Sequence, residues 1–418
     1  MAKKETPVRG KRYVCPFCFK EVDLSNIHYV CTGQACSKAF AQMATSTRNQ
    51  SALMYVSRDG LNEIDREKSM FYGKDPYGPD ALITTKHIIR NSSGFCDMCR
   101  RPVYVRVCPT CHNLIPQGAE EDGNKIFVIL GPKGVGKSHY IAVLINELKN
   151  AISNEFHGVL SAANDNTTIK YRDVYYHRLY EEKRKLQPTL SFGSSSEARE
   201  PLIFYLRILN EERPQVFTFA FFDTAGEDLI STDIMLRNNL NAFISLASGI
   251  VYLVDPMQVK YINQRIQVEN KPEVGISPTD VLNNICRIIR DNKKIKTKDK
   301  IDIPIAVSLT KSDVLYKKPQ NEEESKVLIG LNSALHIPRE YGKYDKENFD
   351  QIDAELEEYI RRTIGAEFLQ TVRDFKDYAF FAVSALGCNP TGNKLPRGVS
   401  PVRVEDPFLW LLNKEGLR

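Results

Sequence analysis

The chain has 418 residues, 42% of them hydrophobic, and a formal charge of +5. That length suits two or three packed units rather than one small domain. No apolar run reaches the roughly 18–20 residues that span a bilayer, and the charged start Met1-Ala-Lys-Lys-Glu-Thr-Pro7 lacks the apolar stretch of a secretory leader. A cytoplasmic protein without a membrane span is therefore expected.

Residues 1–12 read as a basic tail, with Lys3, Lys4, Arg9, Lys11 and Arg12. Residues 1–120 hold 17 Lys/Arg against 11 Asp/Glu, which would suit an anionic partner such as nucleic acid. Eight thiolates on two zinc ions would cancel most of that excess. A solvated tail is thus the simpler reading, and a zinc-ribbon nucleic-acid-binding protein regulated by its nucleotide site the alternative.

Residues 13–116 form a predicted zinc-binding region. Cys15-Pro-Phe-Cys18 and Cys31-Thr-Gly-Gln-Ala-Cys36 make one group. Cys96-Asp-Met-Cys99 and Cys108-Pro-Thr-Cys111 make another, spaced C-x₂-C-x₈-C-x₂-C. Two intervening residues let both sulfurs of a turn face one ion at about 2.3 Å. Two structural Cys₄ sites paired in chain order are expected. The pairing of Cys15 and Cys18 with Cys108 and Cys111 stays open. A chain with no secretion signal disfavours disulfides.

Gln117–Asn124 is small, polar and acidic, and reads as a linker. Residues 125–418 then alternate strand-like apolar runs (Ile126–Leu130, Leu202–Leu209, Val216–Phe222, Ile250–Val254, Ile305–Leu309, Ala379–Val383) with helical patterns. Ile141, Leu144, Ile145 and Leu148 share one helical face, and Phe349, Ile352, Leu356, Tyr359 and Ile360 another. This predicts an α/β doubly wound, mostly parallel sheet, preceded by the small zinc-ribbon modules.

The first run leads into Gly131-Pro-Lys-Gly-Val-Gly-Lys-Ser138, a complete G-x-x-x-x-G-K-[ST] between strand and helix. Its glycines let backbone N–H groups wrap phosphate beside a helix N-terminus. Lys137 would reach the β/γ-phosphates and Ser138 would ligate Mg²⁺. Gly131, Lys133, Gly134, Val135, Gly136 and His139 complete the candidate nucleotide contacts. The third run ends in Phe222-Asp223-Thr224-Ala225-Gly226-Glu227. Asp223 there can hold Mg²⁺ through water, and Gly226 can offer its N–H to a γ-phosphate. Thr310-Lys-Ser-Asp313 closes the Ile305–Leu309 run, where the Asp313 carboxylate suits the N1–H and amine of guanine. The Lys311 stem would lie over the base, with Thr310 at its side and Ser384-Ala385 bracing the far face.

These motifs, in this order, resemble the Ras-like P-loop GTPases of the translation-factor-related class. The resemblance implies GTP and GDP as ligands, hydrolysis of GTP to GDP, and a threonine that senses γ-phosphate through Mg²⁺. Gln187-Pro-Thr-Leu-Ser-Phe192 looks like the corresponding switch of Arf-like members and nominates Thr189. Cysteines ahead of an enlarged GTPase region, and the closing Val404–Leu412 stretch, are similar to the double-GTPase proteins of bacterial conflict systems. That likeness implies a second GTPase or an activating protein as partner. Surplus length near 150–200, 256–300 and 314–377 would define such partners. Glu227 stands where these enzymes usually carry glutamine, and Lys133 where Ras has glycine. Slow hydrolysis without a partner is the consequence, and a nucleotide-locked scaffold without turnover the third reading.

Overall fold

The computed structural model describes residues 12–33, 63–84, 86–90, 94–115, 125–155, 158–187, 201–208, 215–221, 241, 243–268, 271–340 and 342–416. The chain divides into two compact units, Met1–Asn124 and Lys125–Arg418.

The first unit is built from very short pieces. Strands β1 (Arg12–Val14) and β2 (Glu21–Asp23) form an antiparallel pair, so Arg12, counted above with the tail, already belongs to a strand. Next come β3 (His28–Val30), β4 (Glu63–Ile64), helix α1 (Arg66–Phe71), β5 (Ile83–Thr84), β6 (Ile88–Ile89), β7 (Val105–Val107) and β8 (Leu114–Ile115). A four-stranded sheet runs β6-β3-β7-β8, and β4 pairs with β5. The 63–90 segment, unread in the sequence, is fastened by Asp65. Its carboxylate caps α1 by accepting from the Lys68 N–H (2.9 Å) and also meets the buried His112 Nδ1 at 2.7 Å.

The second unit carries one seven-stranded sheet. Its strands are β9 (Ile126–Leu130), β10 (Gly158–Ala162), β11 (Leu202–Ile208), β12 (Gln215–Phe221), β13 (Gly249–Val254), β14 (Ile305–Leu309) and β15 (Tyr378–Ala382), in the order β10-β11-β12-β9-β13-β14-β15. Pairs β10–β11 and β11–β12 are antiparallel; the other four are parallel. The predicted runs became β9 and β11 to β15. The edge strand β10 was missed because Val159 and Ser161 face solvent and leave no apolar run.

Helix α2 (Lys137–Glu155) follows β9 and buries Ile141, Leu144, Ile145 and Leu148 completely. Each such side chain contributes roughly 1.5–3 kcal/mol. Helices α3 (Pro278–Lys293) and α4 (Lys346–Thr363) bury amphipathic faces, α4 through the five residues named above. The closing helix α5 (Asp406–Lys414) sits with Phe408 edge-on to Phe219 (centroids 4.6 Å apart) and Trp410 against Phe381. Arg403 fastens its start, donating to Asp406 Oδ2 at 2.9 Å. Among the described residues, no helix is long and apolar enough to cross a membrane.

Candidate nucleotide site and cysteine clusters

Sheet order reverses at β9: β12 lies on one side and β13 on the other. In open α/β sheets a ligand crevice forms at such a switch point, beyond the C-terminal ends of the strands. Gly131–Ser138 leaves β9 at that point. A Cβ on Gly131 would come within 2.6 Å of the Leu253 carbonyl, so only glycine lets the loop lie against β13. Gly134 (φ 78°) and Gly136 (φ 90°) adopt left-handed backbone that side chains resist. The loop therefore offers the bare, glycine-lined hollow that a phosphate needs. Lys137, buried, folds over it and donates to the Gly131 and Pro132 carbonyls at 2.8 and 3.0 Å. Ser138 occupies the next position of α2, and Lys133 is exposed.

The residues after β14 come to the same loop. Thr310 Oγ1 donates to the Val135 carbonyl (2.9 Å). Lys311, itself left-handed at φ 50°, places Nζ 3.0 Å from the Gly134 carbonyl and 2.6 Å from Asp255 Oδ2. Ser384, just past β15, donates through Oγ to Asp313 Oδ1 at 2.5 Å and receives the Gly387 N–H at 3.0 Å. Ser384 thus orients the Asp313 carboxylate, with Ala385 adjacent and half-buried. The structure gathers the phosphate loop, Thr310–Asp313 and Ser384–Ala385 at one end of the sheet.

The His139 side chain is engaged within the fold: its Nε2 accepts from the Leu186 N–H at 3.1 Å. Burial, helped by the Lys311 and Lys185 charges, lowers its pKa to about 4, so the ring is neutral. Thr189, Asp223, Gly226 and Glu227 lie outside the described residues; β12 ends at Phe221, two residues before Asp223. Sequence reasoning missed Asp255 and Gln258. Their only signal is Asp255-Pro-Met-Gln258 at a strand end, which reads as an ordinary capped turn.

The cysteines pair differently from the chain-order expectation. The sulfurs of Cys15, Cys18, Cys108 and Cys111 all lie within 4.8 Å of one another, and Cys31, Cys96 and Cys99 form a separate group. Cys36 lies outside the described residues. The reason is topological: antiparallel β3 and β7 carry Cys31 toward Cys96 and Cys99 and away from Cys15 and Cys18. Sulfur separations of 3.7 Å (Cys15–Cys111, Cys18–Cys108) and 3.5 Å (Cys31–Cys99) approach the edge of about 3.8 Å in a tetrahedron with 2.3 Å metal–sulfur bonds. Three C-x₂-C turns repeat one backbone pattern. The first cysteine N–H bonds the carbonyl five residues on, its own carbonyl receives the N–H four residues on, and that fourth residue (Phe19, Arg100, His112) is left-handed. Burial pushes the Cys15 thiol well above its usual range, whereas hydrogen bonds from Cys111, then Cys15 and Cys18, pull Cys108 far down. A divalent cation in the cluster would let all four sulfurs ionise. The residues fit a zinc ion.

Together the strand order and the loop geometry define a P-loop GTPase fold. The chain belongs to the double-GTPase 2 family, whose model matches residues 125–385. It is also similar to a protein of Mycolicibacterium smegmatis described as a putative ESX-1 scaffolding and assembly protein, SaeC, at 29% identity over 325 residues, 75% of this chain and 80% of that one. Solved structures with a looser likeness include the GTP-bound Ski7 GTPase-like domain of S. cerevisiae (15% identity, 71% of this chain, 51% of that one, TM-score 0.29). Another is the signal recognition particle receptor complex of Chaetomium thermophilum (12%, 64% and 94%, TM-score 0.27).

Proposed function

We propose that the chain is a GTP- and Mg²⁺-dependent switch that hydrolyses GTP slowly until a partner acts, with two zinc sites holding the first unit as a docking module. The observation that carries this reading is the phosphate loop tied directly to the Thr310–Asp313 segment through Thr310 and Lys311. In this reading Asp313, held by Ser384, selects guanine, and Lys137 binds the β/γ-phosphates. Ser138, Thr189 and Asp223 would hold Mg²⁺, which when bound neutralises phosphate charge. Gly226 would receive the γ-phosphate on its backbone N–H.

Glu227 sets the rate. A glutamine there accepts from water and donates toward the γ-phosphate; a carboxylate only accepts, and it repels an anionic transition state. Glu227→Gln is expected to raise intrinsic GTP turnover, roughly tenfold for about 1.4 kcal/mol of relieved repulsion. Single-turnover phosphate release measures this, and brisk wild-type turnover lost in Glu227→Gln would assign the carboxylate a catalytic role instead. An activating partner that supplies an arginine would add roughly 10³–10⁵. The family name points to a second GTPase as partner, and the conflict-system likeness of the sequence gives such a pair a setting in defence signalling. Co-purification of the chain from its own cells tests both.

The relative described as a scaffolding and assembly protein favours a second reading, in which nucleotide locks a scaffold and turnover is negligible. A hydrolysis time course over several hours separates the two.

A further inference from the structure

Three successive carbonyls of the phosphate loop are each held from outside by a different side chain. Gln258 Nε2 donates to Lys133 O at 2.6 Å, Lys311 Nζ to Gly134 O at 3.0 Å and Thr310 Oγ1 to Val135 O at 2.9 Å. A trans peptide points its C=O and the following N–H in opposite directions. Pulling carbonyls 133, 134 and 135 one way therefore turns the N–H groups of Gly134, Val135 and Gly136 the other way, toward the hollow of the loop. Those N–H groups form the cradle for an anion.

Thr310 and Lys311 belong to the guanine-recognition segment; Gln258 belongs to no nucleotide-binding motif. The turn Pro256–Gln258 that delivers it is shaped by Asp255, whose Oδ1 accepts the Met257 N–H (2.8 Å) and whose carbonyl accepts the Gln258 N–H (2.9 Å). The other oxygen of Asp255 takes Lys311 Nζ at 2.6 Å, and Asp255 is fully buried. One carboxylate thus aims two of the three clamps. Gln258 is itself nearly buried, and its amide lies 3.2 Å from where a Cβ on Gly134 would stand, so it has little room to turn away.

We propose that Asp255 and Gln258 are positioning residues for the phosphate loop, setting how tightly it grips the β-phosphate of a guanine nucleotide. This rests on the nucleotide-site reading above. Gln258→Ala removes the clamp, and Gln258→Glu keeps the length while turning a donor into an acceptor that faces a carbonyl. Affinities for GDP and for GMP, measured by competition with a fluorescent guanine nucleotide in the presence of Mg²⁺, are the readout. Loss of one such hydrogen bond is expected to shrink the GDP-over-GMP preference by about tenfold in Gln258→Glu and somewhat less in Gln258→Ala. A uniform loss of fold stability would weaken GDP and GMP binding alike, so the ratio of the two affinities separates loop positioning from a merely structural role. An unchanged preference, or equal losses for GDP and GMP, would overturn the proposal. A wild-type chain with no preference for GDP over GMP would overturn the phosphate-loop reading itself.

Discussion

Stripping zinc from the purified chain is expected to unfold the first unit and leave the second folded. Among the described residues, the strands of that unit span two or three residues each, too few for a self-sufficient sheet. Ile89 and Val103 instead form a small buried cluster with Cys31 and Cys96. Cys15 and Cys111 are 96 residues apart in sequence, so one ion closes nearly the whole unit. Structural zinc contributes about 10–16 kcal/mol in small metal-dependent folds, more than a unit of this construction can replace. The second unit buries its own sheet and should keep its thermal transition. Elemental analysis is expected to find about two zinc ions per chain. Interleaved pairing makes a sharper demand. Cys18→Ser combined with Cys108→Ser should cost one zinc, since their sulfurs lie in one cluster, whereas Cys18→Ser with Cys96→Ser should cost two. Pairing in chain order requires one ion lost from each group in the first double variant, and that result would refute the arrangement.

Asp313→Asn is expected to weaken GTP binding roughly a hundredfold, the worth of a charged, doubly bonded contact in a dry site. It should at the same time admit xanthosine triphosphate, whose 2-oxo edge suits an amide donor. Ser384 holds one Asp313 oxygen, and in the proposed reading the other meets the base. Because an amide oxygen also accepts from Ser384, Asp313→Asn should leave the loop after β15 in place. Isothermal titration with both nucleotides checks this. Equal weakening for GTP and xanthosine triphosphate would mean that Asp313 supports the fold rather than reading the base.

The parallel half of the sheet was legible because fully buried strands read as continuous apolar runs that end in chemically distinctive residues. Glycines at 131, 134 and 136, the hydroxyl and lysine of Thr310-Lys311, and Asp313 announced themselves by type and by position at strand ends. Strand β10 did not, since an exposed edge strand alternates and is short. The cysteine spacing identified turns that can face a metal, but the partner of each turn depends on how β3 and β7 pair, a long-range choice that spacing does not encode. Spacing does not encode which way the His139 ring turns; in the fold its Nε2 accepts from the Leu186 N–H. Asp255 and Gln258 were invisible for a related reason. A buried carboxylate capping a turn is common, and only the three-dimensional approach of that turn to Lys133 and Lys311 gives it a second role.

Guanine-nucleotide binding at the end of the sheet is tested most directly by thermal unfolding of the second unit with matched GTP·Mg²⁺ and ATP·Mg²⁺. A ligand that binds only the folded state raises stability by RT ln(1 + [L]/Kd), about 2.7 kcal/mol at a hundredfold excess over Kd. GTP should therefore raise the transition by several degrees while ATP at the same concentration leaves it in place. Equal stabilisation by the two nucleotides, or none by either, would contradict the assignment.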